Sequence, residues 1–476
     1  MSRRTKIICT IGPSSDDPVI LREMIRAGMD VARIAMAHAT VDEAIERSRR
    51  IREAAADVGR PVGILVDLPG PKIRVGGFDE NGVELETDST VELRVGNEAC
   101  DAKTVFVDYE NLLSDVRGGD ELAFGDGGVV VAIEDRMGDA LVGRVTSGGV
   151  LRGRPGVHIP SERLSLRSPT DADLRALDVF LDEGVDMIAL SFVRSGSDIR
   201  RLGTQPHPTG PLIVAKIENR AAVDNLDGII AESGAIMVAR GDLGAECSLA
   251  ELPHLQKEII RRCIAGGLPV ITATQMLETM ITAPTPTRAE ASDVANAVFD
   301  GTSAVMLSGE TAIGAHPVRV VETMAEIASR ADERFDHAAW ADKLEALHLN
   351  SKSEPHAAIT DAMTSAAARA CESLDIAAIL AISGTGFTVR SMARFRPRAN
   401  ILGFTNNPNT YRQLTSSWGT VPMAFEATDA YEDRVVQATQ RAKEAGLVHP
   451  GDLVGVLAGI DTSGAATDVF RIIRVR

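Results

Sequence analysis

Leu212-Ile213-Val214-Ala215-Lys216-Ile217-Glu218-Asn219 is a short apolar run that ends abruptly in a cation, a carboxylate and an amide. Runs of this kind, with polar groups gathered at one end, read as strands of a parallel sheet buried on both faces. Working outward, seven more occur, at residues 6–10, 30–34, 62–67, 187–191, 236–240, 270–274 and 304–308. Helix-like stretches separate most of them. Eight such runs predict an α/β chain folded as a (β/α)8 TIM barrel, whose chemistry gathers where the strands end. An open doubly wound sheet is the competing architecture, and the count of strands disfavours it. The predicted ends carry Thr10, Arg33, Asp67, Ser191, Lys216, Glu218, Asp242, Thr274 and Ser308. Taken singly, each reads as a solvated loop residue; polar side chains at nearly all eight ends read as one shared site.

Between the third and fourth runs the helical periodicity stops. Short alternating β segments at 83–85, 91–95, 121–124, 127–131 and 141–145 take its place, which predicts a small β domain inserted into the barrel. Ser168-Pro169-Thr170-Asp171 then reads as a helix start, with Leu174, Leu177 and Leu181 on one face and Gly184 as the stop. Further on, a helix over 359–374 and strands at 376–382, 400–405, 421–425, 452–458 and 469–475 predict a separate α/β unit. The expected division is a barrel of residues 1–69 and 168–340, an inserted β-barrel lid of 70–167 and a C-terminal α/β domain of 341–476.

The chain has 476 residues, 44% of them hydrophobic, enough for several buried cores, and a net charge of −17. That charge opposes non-specific binding to nucleic acid or to an anionic membrane. The 12 Phe, 3 Tyr and 2 Trp are too few for an extended stacking platform. Small anionic metabolites stay compatible, because a local basic pocket can sit in an acidic protein. Cys9, Cys100, Cys247, Cys263 and Cys371 are scattered without metal-ligand spacing, as in a reducing compartment. The opening apolar run is too short for a signal sequence, and no stretch approaches the roughly 18 apolar residues of a membrane span. The expectation is a cytoplasmic protein with neither nucleic acid nor membrane as partner.

Lys216 and Glu218 end one predicted strand, and Met237-Val238-Ala239-Arg240-Gly241-Asp242-Leu243-Gly244 puts a second carboxylate on the next, beside glycines. Two carboxylates from adjacent strands suit a hard divalent metal that completes its shell with substrate oxygens and water. A Lys and an Arg beside that metal would neutralise a transferring phosphoryl group. A structural salt bridge across the barrel explains the same spacing equally well.

At these segments the sequence resembles the pyruvate kinase family. The resemblance runs through Cys9-Thr10-Ile11-Gly12-Pro13-Ser14, Val31-Ala32-Arg33, Asp67-Leu68-Pro69-Gly70-Pro71-Lys72-Ile73-Arg74, the Lys216 and Asp242 segments, Ala273-Thr274-Gln275-Met276-Leu277-Glu278, residues 286–297 and Met306-Leu307-Ser308-Gly309-Glu310-Thr311. It implies a (β/α)8 barrel with an inserted lid and a C-terminal regulatory domain. The implied reaction transfers the phosphoryl group of phosphoenolpyruvate to ADP with Mg2+ (or Mn2+), giving ATP and an enolate that is protonated to pyruvate. By matching position, Lys216 stabilises the transferring group, Arg33 contacts the phosphate, Thr274 delivers the proton, and Glu218 and Asp242 hold the metal. Ser191 and the backbone of Gly241 and Asp242 fall on the substrate side, and Thr10, Pro13, His38, Arg74 and Asp126 on the nucleotide side. The resemblance also implies a cytoplasmic homotetramer with a phosphorylated allosteric effector.

The chain departs from the family pattern in three places. After Arg33 the family usually has Asn and Ser, which help bind a monovalent cation and the nucleotide phosphate; here they are Ala35 and Ala37. Losing two hydrogen-bonding groups of about 1–3 kcal/mol each predicts catalysis slower by roughly 10- to 10⁴-fold, and a catalytically silent metabolite-sensing relative is the alternative. Lys72, with Leu68 and Val75, resembles the potassium-independent branch, in which the Lys72 ammonium beside Asp67 replaces bound K+. The lid has Pro155-Gly156-Val157-His158-Ile159-Pro160-Ser161 where the family commonly reads Lys-Gly-Val-Asn-Leu-Pro-Gly, so the lid lysine is missing and Arg154 is the neighbouring substitute. In the C-terminal domain Ser383-Gly384-Thr385-Gly386-Phe387-Thr388 follows a strand and opens a helix. Its amides and hydroxyls, chiefly Ser383, Thr385, Gly386 and Thr388, could hold an effector phosphate or simply cap the helix.

Overall fold

The computed structural model describes residues 3–125, 127–348, 355–426, 428, 430–460 and 467–476. Eight strands, Lys6–Thr10, Val31–Ala35, Gly63–Leu68, Met187–Leu190, Leu212–Ile217, Ala235–Ala239, Val270–Ala273 and Ala304–Leu307, close into a barrel. Each runs parallel to the next, and the eighth pairs with the first. The expected runs match these strands to within a residue at either end. Their apolar character has a direct cause: Ile8, Val31, Leu65, Met187, Val214, Met237 and Ile271 fill the barrel interior, while the alternate residues Ile7, Cys9, Ile34, Val66 and Ile188 pack outward against the helices. A strand buried on both faces has no room for a polar side chain until it ends.

Helix starts fix where the chain leaves each loop. Thr40, Thr170 and Thr287 each accept the N–H three residues on, and Glu43, Asp173 and Glu290 return a bond to the cap. The helix anticipated after Ser168 is therefore Asp171–Asp182, capped by Thr170.

The inserted segment forms a six-stranded sheet and a two-stranded one around a core that includes Leu93, Leu122, Phe124, Val131 and Val145. Three of its strands, Thr104–Val107, Gly149–Gly153 and Val157–His158, have no counterpart in the sequence reading. The C-terminal sheet has the order Thr420–Ala424, Asn400–Thr405, Ile376–Ile382, Leu453–Ala458, Val469–Arg474. Its first four strands are parallel and the last is antiparallel. Among the described residues no helix is long and apolar enough to cross a membrane.

At the end of the barrel away from the strand C-termini, buried Asp30 accepts the Ile7 N–H at 2.9 Å, Arg3 at 2.8 Å and Arg60 at 2.7 Å. Burial alone would push its carboxyl up; Arg3, Lys6, Arg60 and the Ile7 N–H outweigh that and hold it down at about 2. A carboxyl lowered from roughly 3.9 gives its full stabilisation above that pH and loses it as pH falls through the folded value. The unfolding free-energy gap between wild type and Asp30→Asn, measured by denaturant titration, should be flat above about pH 5 and shrink between about pH 4 and 2. A pH-independent gap would contradict this.

Candidate active site

Asp67 is the last residue but one of the third barrel strand and is 3% exposed. Its Oδ2 accepts Arg33 Nε at 2.8 Å and pairs with Arg33 Nη2 at 2.7 Å. Its Oδ1 faces Ser191 Oγ and Lys216 Nζ, each at 3.3 Å. Arg33 Nη1 donates to Thr10 Oγ1 at 2.9 Å, and that hydroxyl donates to Leu307 O. Lys216 Nζ also donates to Ser191 Oγ at 2.7 Å and pairs with Glu218 Oε1 at 2.8 Å, while Glu218 Oε2 accepts the Phe192 N–H. The ends of the first five strands thus form one polar network.

Burial would raise the Asp67 carboxyl, but Lys216 and Arg33 hold it below its ordinary value. Burial would likewise discharge Lys216; Asp67 and Glu218 outweigh it and keep the ammonium charged. Glu218 goes the other way: burial and then the charge of Asp242 push its carboxyl up, against the pull of Lys216. Two carboxylates from adjacent strands that repel one another are a donor set suited to a dication. Asp242 lies in the first turn of the helix Arg240–Glu246. Among the described residues no group of three or more His, Cys, Asp or Glu forms a closed cage. The pair fits an ion that takes its remaining ligands from substrate and water.

Thr274 sits at φ +69°, the left-handed region that a β-branched residue enters at a cost of about 1–3 kcal/mol. Arg240, to which the sequence reading gave no role, holds it there. Its guanidinium donates to Thr274 O at 2.7 Å and Ala273 O at 3.2 Å and pairs with Asp293 at 2.7 Å. The Thr274 hydroxyl accepts the Gly241 N–H at 2.9 Å and donates to Ala273 O. Thr274 and the Gly241 backbone are thereby brought together. The signal for Arg240 was present, since it follows the sixth strand directly.

On the other side of the mouth, the single turn Met36–His38 carries His38. Burial, then Arg74, Lys72 and Arg33, lower its pKa, so three cations converge on this imidazole. Pro13 is exposed in the loop after the first strand. Lys72 is exposed as well, and the cations around Asp67 are Arg33 and Lys216. Ala35 pairs with Asp67 across neighbouring strands, and Ala37 precedes His38. Arg154 donates to Val75 O at 3.1 Å and pairs with Asp108 at 3.2 Å, engaged within the lid. Asp126 lies outside the described residues.

In the C-terminal loop Thr385 is exposed and Gly386 takes φ +76°. Thr388 is buried, its hydroxyl 2.5 Å from that of Thr467. Beneath the loop Arg390, 7% exposed, donates through Nη2 to Thr385 O at 3.0 Å and to His207 Nε2 at 2.9 Å. Its Nη1 has no hydrogen-bond partner among the described residues. Arg394 pairs with Asp361, and Arg396 donates to Gly301 O and Ser303 Oγ and stacks on Trp418.

A (β/α)8 barrel that gathers two carboxylates, a charged lysine and an arginine at its strand ends, under an inserted β lid, is the framework of a metal-assisted phosphotransferase. A family model described as "Pyruvate kinase, barrel domain" matches residues 2–321, and one described as "Pyruvate kinase, alpha/beta domain" matches residues 361–473. The chain is 38% identical over 475 residues to a pyruvate kinase of Bacillus licheniformis, covering 99% of this chain and 80% of that one. It is 36% identical over 469 residues to that of Clostridium acetobutylicum, covering 98% of each. To that of Agrobacterium vitis it is 39% identical over 471 residues, covering 98% and 97%. The chain belongs to the pyruvate kinase family. It is an enzyme of glycolysis that takes phosphoenolpyruvate and ADP to pyruvate and ATP with a divalent metal, and not a silent relative.

Asp67 is the counter-charge of buried Lys216 and half-buried Arg33, and removing one member of such a set leaves the others poorly compensated. Asp67→Asn should lower the unfolding free energy by about 3 to 5 kcal/mol, read from denaturant midpoints at pH 7. A change below about 1 kcal/mol would show that Arg33 and Lys216 find other partners.

Proposed function

We propose that the polar network at the strand ends is the phosphoryl-transfer site, with Lys216 holding positive charge on the transferring group and Arg33 on the phosphate. The observation that carries this is Asp67, whose contacts with Arg33 and Lys216 fix both cations before substrate arrives. Glu218 and Asp242 hold Mg2+, for which Mn2+ substitutes; when bound, the ion supplies charge neutralisation at the phosphate oxygens. Thr274 delivers the proton to the enolate, its hydroxyl positioned by Gly241 and its strained backbone by Arg240. Ser191, Gly241 and Asp242 line the substrate side. Thr10, Pro13, His38, Arg74 and Asp126 form the nucleotide side, supported by the cations grouped around His38.

We further infer that the enzyme needs no K+. Arg33 and Lys216 already balance the carboxylate of Asp67 beside Ala35, and Lys72 adds fixed charge near His38. The domain limits of 69/70, 167/168 and 340/341, a cytoplasmic homotetramer, and a phosphorylated effector at Ser383, Thr385, Gly386 and Thr388 complete the proposal. Arg390, which has no carboxylate partner among the described residues, supports the effector; with its side chain buried, Thr388 contributes through its backbone.

In a coupled assay with phosphoenolpyruvate, ADP and Mg2+, Lys216→Met should cut turnover by about 10³-fold or more, with circular dichroism reporting that the fold persists; turnover retained within about tenfold removes Lys216 from its role. Replacing Na+ by K+ at constant ionic strength should alter the rate less than about twofold, and strong activation would refute K+ independence. Ala35→Asn with Ala37→Ser should raise kcat/KM by about tenfold or more, each restored hydrogen bond adding transition-state stabilisation. No gain would show that these positions do not limit the rate.

A further inference from the structure

The lid meets the barrel on the short helix that carries Asp242. Ser161 Oγ, from the chain leaving the lid, donates to Glu246 Oε2 at 2.8 Å, and the same oxygen accepts the backbone N–H of Arg220 at 3.0 Å. His158 Nε2 stands 4.0 Å from Asp242 Oδ1 and 3.1 Å from Gly125 O. A Cβ added at Gly127, between two lid strands, would come within 3.6 Å of Ala245 Cα. All three approaches fall on Arg240–Glu246. One carboxylate oxygen therefore joins the lid to the turn directly after Glu218, and it does so from the helix that presents Asp242.

We propose that Glu246 is a positioning residue for phosphoryl transfer, latching the lid through Ser161 over the helix and turn that hold Asp242 and Glu218. The inference rests on the assignment of those carboxylates to the metal and of the lid side to the nucleotide. Ser161 is buried and Glu246 half-buried, and a hydroxyl bonded to a carboxylate is stronger than a neutral pair. A lid must also release what it covers, so a contact of one reversible bond suits a gate better than a network. The hydroxyl stands where the family commonly has glycine, which could not make this bond. Arg220 couples the latch to the metal side: if Glu246 moves, the support of the Glu218 turn moves with it.

The test uses the full-length enzyme and steady-state kinetics with ADP and phosphoenolpyruvate varied separately. Ser161→Ala should raise KM for ADP by about tenfold, leaving kcat and KM for phosphoenolpyruvate within about twofold, and Ser161→Thr should restore the wild-type value. Hydrogen exchange of residues 155–165 in the presence of ADP and Mg2+ should be faster in Ser161→Ala. Glu246→Ala should also weaken activation by Mn2+, because the Glu218 turn loses its acceptor. An unchanged KM for ADP in Ser161→Ala, or an equal rise for both substrates, overturns the latch. Unchanged Mn2+ activation in Glu218→Gln instead overturns the metal assignment beneath it, so the two failures are distinguishable.

Discussion

The carboxylate of Asp67, enclosed at the barrel mouth between Arg33 and Lys216, is the charge on which the rest of the site depends. Burying one ion costs several kcal/mol unless partners repay it, and here the partners come from neighbouring strands. Arg33 is on the second strand, Asp67 near the end of the third, Ser191 follows the fourth, and Lys216 is on the fifth. The contacts therefore exist only if the barrel closes in its observed register, with Ala35 beside Asp67 and Asp67 beside Ala189. Site and fold specify one another. Arg33 and Lys216 face Asp67 and Glu218, so within a chain of net charge −17 the mouth is a place where cations are fixed beside carboxylates rather than a uniformly acidic surface.

The same balance bears on the missing Asn and Ser. A monovalent ion is useful where carboxylate charge is in excess. Around Asp67 both carboxylate oxygens are already engaged by Arg33 and Lys216, and Lys72, Arg74 and Arg33 gather about His38. Ala35 lies beside Asp67, a carboxylate whose two oxygens Arg33 and Lys216 already occupy. What the two alanines still remove is hydrogen bonding, and that loss is separate from the question of K+.

The barrel was legible because its strands are covered on both faces and turn polar only at their ends, so each announces itself as a short apolar run with a chemical terminus. The lid was less so: Thr104–Val107 and Val157–His158 are too short to establish a period, and Gly149–Gly153 has only Leu151 buried. In the site, residues carried by strand ends were found because position alone marks them. Glu246 carries no such mark, since its meaning comes from Ser161 and Arg220, which are 85 and 26 residues away. Lys72 shows the limit from the other side: the motif marks it, but that it lies exposed beside Gly156 of the lid, while Arg33 and Lys216 pair with Asp67, is a tertiary fact.

The C-terminal arginines show why an arginine run cannot be read as a phosphate site without its partners. Arg394 is neutralised by Asp361, and Arg396 donates to carbonyl and hydroxyl oxygens and lies on the face of Trp418, while the Nε of each has no hydrogen-bond partner among the described residues. Both are cross-links between elements. Among the described residues the side-chain partner of Arg390 is a neutral imidazole: burial and then Arg390 itself depress His207 to about 3, so it cannot be a second cation at neutral pH. A buried guanidinium held by a carbonyl and a neutral ring keeps its whole charge available to an anion. It donates to the carbonyl of Thr385, at the exposed turn of the loop. What a cation is paired with, rather than the number of arginines, therefore decides what it can offer an anion, at the barrel mouth as at this loop.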